Sequence, residues 1–245
     1  MRRVGLDFSQ ISLNPKTFLS SRTIRHDGVV FNHREDDEFS IGGNETATPT
    51  FEELIQQLND TEPDIRADAA FSLGLLKDKR AVDPLIKCLS DDNEEVRAIA
   101  AFMLGELKDP RAIEPLITTC LNDPSDEVRT SAALSLVLLK DLRAVKPLIK
   151  CLSDLSDEVR KSAASSLGWL NDISAIEPLK SLVRDLYKSG TPIENQSPIC
   201  RQALLSIYRI DEKAISDFNL TFSDKLWLSF NKNEEGSALE DTFKS

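Results

Sequence analysis

Three of the four cysteines, Cys88, Cys120 and Cys151, stand 32 and 31 residues apart, each directly before a leucine. A thiol can bridge, bind a metal or attack a carbon, and the spacing discriminates among these. Equal slots on successive helices of an array lie about 8–10 Å apart, the usual interaxial distance. A disulfide needs Cα atoms within about 7 Å. Bridges are therefore disfavoured, as is a tetrahedral metal site shared by the three. What remains is a small side chain beside a buried stripe, in a reducing compartment. Nucleophilic attack needs a base beside the thiol or hydroxyl. The only histidines, His26 and His33, lie near the start, outside the repeating region. Gly42-Gly43 is too short to count as a phosphate-cradling loop.

The arginines offer other chemistry. Arg66, Arg97, Arg129 and Arg160 follow Ile65, Val96, Val128 and Val159 at intervals of 31, 32 and 31 residues. A row of guanidinium groups could hold an acidic ligand. The preferred reading is structural: each arginine binds carboxylates or helix-end carbonyls of the adjacent unit. Arg80, Arg111 and Arg143 form a second row, in turns, where exposure is greater. Between them lies a series that does not repeat: Asp83, Lys87, Glu114, Thr118, Lys146 and Lys150. These six change from acidic to basic along the chain, as either a surface fitted to one partner or a solvated helix face would, and they are the candidate partner-binding residues.

What positions these residues is a repeat. A period in this range means a solenoid, whose units bury their apolar faces against one another. Val96, Ala100, Leu104 and Leu107 recur at helical spacing and predict a first helix in each unit. Ala69-Ala70, Ala100-Ala101, Ala132-Ala133 and Ala163-Ala164 keep the helix slim where a neighbour must approach. Acids gather at its first turn, where the helix dipole favours them, with Asn93, Ser125 or Ser156 as caps. Asp78, Asp109, Asp141 and Asp172 are placed to cap a second helix, whose stripe is Val82, Leu85, Ile86 and Leu89. Pro84, Pro115, Pro147 and Pro178 fall about six residues past those caps, so a kink is expected in every second helix. One extra residue between Pro115 and Leu121 predicts a bulge or longer turn. Lys180 in place of an apolar residue predicts a looser fourth stripe.

The phrases from Glu95 to Ala101 and from Leu104 to Ile117 resemble HEAT-like repeats, and more narrowly those named after the phycobilin lyases of cyanobacterial antennae. The resemblance covers about residues 51–185, and up to 215 with a degraded last unit. It implies an all-α fold, a right-handed α–α superhelical solenoid whose second helices line the concave face. Functionally it implies a non-catalytic scaffold holding another protein, with an antenna (phycobilisome) protein as a candidate. The alternative is a phycobilin lyase subunit that presents a bilin to an antenna-protein cysteine. No cofactor is expected except a bilin under that alternative. Deoxyhypusine hydroxylase also resembles this repeat design, but it binds iron through His-Glu pairs. Here neither His26 nor His33 precedes a glutamate, so that activity is excluded.

Composition fits this reading. A net charge of −11 argues against a nucleic-acid surface. No apolar run approaches a membrane span, and a cytoplasmic protein is expected. Five basic residues against one acid in residues 1–26 keep a plastid stroma as the second reading. The expected organisation is a flexible extension over 1–48, the solenoid over 49–215, a capping segment over 216–232 and a disordered tail over 233–245. The acidic run Glu35-Asp36-Asp37-Glu38 falls in the extension, which is read as ordering only on a partner.

Overall fold

The structure is a computed structural model that describes residues 24–26, 29–31 and 49–231, except 189, 219, 222, 226 and 230. The chain divides into two units, and every helix described below belongs to the unit Phe51–Asn233. In the other unit, β1 (Ile24–His26) pairs antiparallel with β2 (Val29–Phe31), with Arg25 opposite Val30. The rest of the extension read over 1–48, including its acidic run, and the tail read over 233–245 lie outside the described residues.

The array is all-α, as the period requires. The first helices are α2 (Pro63–Leu75), α4 (Glu94–Glu106), α6 (Asp126–Leu138), α8 (Asp157–Leu170) and α10 (Pro198–Ile210). The second helices are α1 (Phe51–Gln57), α3 (Val82–Cys88), α5 (Ile113–Thr118), α7 (Val145–Cys151) and α9 (Ile176–Leu186). First helices pack on one another in chain order, and α3, α5, α7 and α9 each pack against the first helix that follows. The alanine pairs make the close approach feasible: all eight alanines are fully buried. Ser135 Oγ donates across the seam to the carbonyl of Ala101 (2.8 Å), and Ser166 Oγ to that of Ala133 (2.9 Å). Each hydroxyl thus finds a partner where water cannot reach. Val137, in the slot held elsewhere by Gly74, Gly105 and Gly168, is buried within an uninterrupted α6.

The prolines do not fall in the interior of the second helices, where a kink was expected, because those helices start later than the caps suggested. Asp78, Asp109, Asp141 and Asp172 cap 3-10 turns, each accepting the N–H two residues on. The α-helix begins only after that turn, so Pro84 falls in the first turn of α3 (Val82–Cys88). There a missing N–H costs nothing, since the first N–H groups of a helix have no intrahelical acceptor. The second helices are correspondingly short. The extra residue after Pro115 is absorbed by a 3-10 turn, Cys120–Asn122. Among the cap candidates, Asn93 accepts from Glu95 and Val96, whereas Ser125 and Ser156 make no side-chain cap bond. Lys77, Lys108, Lys140 and Asn171 end α2, α4, α6 and α8 with φ between 50° and 53°, a left-handed stop that sequence reasoning did not identify.

The far end is closed by polar clamps. Lys180 does not loosen the stripe: it is buried and its Nζ reaches Asp217 at 2.7 Å, tying α9 to the 3-10 segment Glu212–Asp217. Gln196 folds the long connection on itself through Lys188 and Thr191. Asp224, buried, accepts the N–H of Ile193 (2.8 Å) and that of Thr221 (2.9 Å). Burial pushes its pKa up, but these donors outweigh it and hold the carboxyl below its ordinary value. Ile215, Phe218, Leu220 and Leu228 are buried in the same segment.

Candidate functional site

Two rows of ion pairs join successive units, and together they decide which polar residues remain available. The first row is half-buried. Arg66 donates from Nε and Nη2 to both oxygens of Asp91, each at 2.7 Å. Arg97 does the same to Asp123 (2.8 and 2.9 Å), and Arg129 to Asp154 (both 2.8 Å). The remaining guanidinium nitrogen of each reaches carbonyls of its own unit, Asp60 and Thr61 in the case of Arg66. Asp91, Asp123 and Asp154 also accept a backbone N–H two residues on, so each carboxylate receives three hydrogen bonds. The arginine hydrogen bond is the main cause that holds Asp91 and Asp154 below the usual carboxylate range. At Asp123 burial pushes up, and Arg97 with the Ser125 N–H outweighs it. The row ends at Arg160, which turns to Asp157 of its own helix. Its acids recur at the arginine interval in the sequence, a signal that could have named them as partners.

The second row runs along the turns. Arg80 bonds Asp78 and lies 3.9 Å from Glu52. Arg111 bonds Asp109 and reaches Asp83 of the preceding unit at 2.9 Å. Arg143 bonds Asp141 and reaches Glu114 at 3.3 Å.

All six candidate partner-binding residues, Asp83, Lys87, Glu114, Thr118, Lys146 and Lys150, are exposed on the second helices. They are not equivalent. Asp83 and Glu114 are engaged by the turn arginines, and Thr118 Oγ1 donates back to the carbonyl of Glu114 at 2.8 Å. Lys87, Lys146 and Lys150 have no ion pair or hydrogen bond among the described residues. The distinction was not legible in the sequence, because it depends on which arginine crosses to which helix.

The cysteines have a different fate. Cys88, Cys151 and Cys200 are free and buried, and burial pushes each thiol up to about 11. The side chain of Cys120 lies outside those described. At pH 7.5 a thiol of that kind is almost wholly protonated and a poor nucleophile. Iodoacetamide should therefore leave Cys88, Cys151 and Cys200 unmodified in the native protein and alkylate them in denaturant. Rapid native alkylation at any of the three, read by peptide mass spectrometry, would contradict the buried assignment. Among the described residues no cluster of His, Cys, Asp and Glu could hold a metal, and no helix is long and apolar enough to cross a membrane.

The sequence pattern of the HEAT repeats family matches residues 51–137 and 115–188, more than half of the chain. The chain belongs to the HEAT-repeat family. It is similar to the solved complex of CpcE and CpcF of phycocyanin lyase from Nostoc sp. PCC7120, with 26% identity and a TM-score of 0.58. That match covers 74% of this chain and 71% of that one. An engineered protein matches at 20% identity and a TM-score of 0.51, over 78% of this chain and 97% of its own. This second match concerns the fold alone. No curated protein matches the chain.

Proposed function

We propose that this HEAT-repeat protein is a non-catalytic scaffold that holds another protein on the exposed face of its second helices, and that the partner is a light-harvesting antenna protein. The observation that carries the reading is the contrast within that face. The frame is locked by repeated ion pairs and a buried seam, while Lys87, Lys146 and Lys150 stand exposed and unengaged on it. Rigid elements presenting unrepeated charges suit recognition of one partner surface. The similarity to the CpcE–CpcF complex supports the antenna-related choice.

A second reading, a lyase-type subunit, is favoured by that same similarity. Under it a bilin would be substrate, held without a covalent bond to Cys88, Cys151 or Cys200, because those thiols are protonated and shielded. Co-expression with bilin-producing enzymes and an apo-phycocyanin subunit separates the two. The scaffold reading expects a colourless complex of the two proteins. A zinc-fluorescent phycocyanin subunit formed only in the presence of this chain would replace it with the lyase reading. Absence of both complex and colour would remove the antenna partner.

A further inference from the structure

The turn row is broken at one place, and the break reverses charge. At three successive interfaces an acid on a second helix faces an arginine of the next turn: Glu52 and Arg80, Asp83 and Arg111, Glu114 and Arg143. The corresponding slots at the fourth interface hold Lys146 and Ser174. Both members have changed together: the acid has become a cation, and the arginine has become a short hydroxyl that removes repulsion. Ser174 Oγ bonds Asp172 at 2.5 Å, as the arginines bond the cap aspartates of their own turns. Lys150 lies one helical turn beyond Lys146 on the same face of α7. Two exposed cations thus share one helix, in a chain of net charge −11. Leu142 and Ile173, in the turns that open α7 and α9, are 59% and 75% exposed. Among the described residues, no other interface combines unengaged cations with large exposed apolar groups in its two turns.

We infer that α7 and the turn before α9 form a docking site for an acidic, apolar-flanked segment of the partner protein, whose carboxylates take the place that Asp83 and Glu114 occupy elsewhere in the row. This rests on the scaffold reading and assigns the partner chemistry to one interface. Charge complementarity fixes the occupant: Lys146 and Lys150 accept two carboxylates one helical turn apart, and Leu142 and Ile173 take apolar side chains beside them. The contribution comes chiefly through faster association and is sensitive to salt, since the cations are exposed.

The test uses the full chain and a short fluorescent peptide of repeated Glu-Glu-Leu triplets, with Gln-Gln-Leu and Lys-Lys-Leu counterparts. The acidic peptide should bind, the other two should not, and binding should weaken as salt rises. The informative variant is Lys146→Glu with Ser174→Arg, which completes the row on the pattern of Glu114 and Arg143 and preserves folding. It should lower affinity for the acidic peptide by about tenfold or more. Breaking the row elsewhere, by Asp83→Lys with Arg111→Ser, should leave affinity for the original site intact. Equal binding by wild type and the row-completed variant overturns the site, as does binding of the Gln peptide as tight as that of the acidic one. An apo-phycocyanin subunit run in parallel separates the two claims. If it binds wild type and the row-completed variant equally, the scaffold stands and this site falls. If the acidic peptide behaves as expected and phycocyanin does not bind, the site stands and the antenna partner falls.

Discussion

Replacing Arg97 by Ala should destabilise the array by about 3 kcal/mol, the scale for breaking a buried pair by removing one partner. For an array of this size that lowers the melting temperature by about 6–12 °C. Arg97 and Asp123 have side chains only 13% and 6% exposed, so the change leaves a carboxylate in a half-buried seam without its bidentate donor. Pairing Arg97→Met with Asp123→Leu should recover part of the loss: no charge is orphaned, although the Ser125 N–H and the Asp91 and Asp92 carbonyls lose their partners. The pH dependence has a definite sign. Asp91, Asp123 and Asp154 are held below the ordinary carboxylate value, so their pairs stabilise the fold fully above that value. The contribution is lost as pH falls below about 4 and through the depressed values. The deficit of the Arg97→Ala protein relative to wild type should accordingly be full at neutral pH and shrink in acid. A deficit that grows below pH 4, in thermal melts across that range, would show that the row does not act as described. Arg80→Ala is the contrast: its pair with Asp78 is exposed, and melting should barely change.

The seam between first helices should tolerate added volume poorly, and Gly105→Val should cost about 3 kcal/mol, the upper end for overpacking. A Cβ at Gly105 would stand 2.7 Å from Cβ and 2.8 Å from Cα of Ser135, so the backbone of α6 must move. That movement also strains the bond from Ser135 Oγ to the Ala101 carbonyl. Gly74→Ala adds less volume but is also crowded: a Cβ there would press on Sδ of Met103 and stand 2.6 Å from its Cβ, and only the sulfur end can swing aside. Denaturant midpoints should rank wild type above Gly74→Ala and Gly74→Ala above Gly105→Val, because alanine adds less volume than valine. A Gly105→Val protein as stable as wild type would mean that the helices approach less closely than the serine bonds indicate.

Much of this was legible because a repeat reads the same instruction several times. The Val96, Ala100, Leu104 periodicity and the alanine pairs predicted the first helices and their close seam, and the recurrent arginines predicted links between units. What stayed hidden depended on the chain's path in space. Pro84 predicted a kink only while Asp78 was taken to cap an α-helix; the intervening 3-10 turn moves the proline into the first turn. Lys180 read as a defect because Asp217, 37 residues later, is brought to it only by the closing segment. The six surface candidates read as one face, yet Asp83 and Glu114 belong to the frame and the lysines do not. Such partition follows from side-chain reach across an interface, which spacing along one helix does not encode.

Under the scaffold proposal, the partner binds the second-helix face through the unengaged lysines. The direct measurement is the association rate of the full chain with immobilised apo-phycocyanin subunit, for wild type and for Lys87, Lys146 and Lys150 all changed to Glu. The matched control changes Lys79, Lys213 and Lys225 to Glu, three exposed lysines outside the second helices, with the same change in net charge. Lys161 would be a poor control, since its side chain is only 15% exposed and pairs with Glu158. Substitutions at these exposed sites should each change stability by no more than about 0.5 kcal/mol. Association should be slower for the second-helix variant, with the difference from wild type shrinking at high salt, and near-normal for the control. Equal slowing in both variants would mean that overall charge governs the encounter, and the second-helix face would lose its assignment as the binding surface.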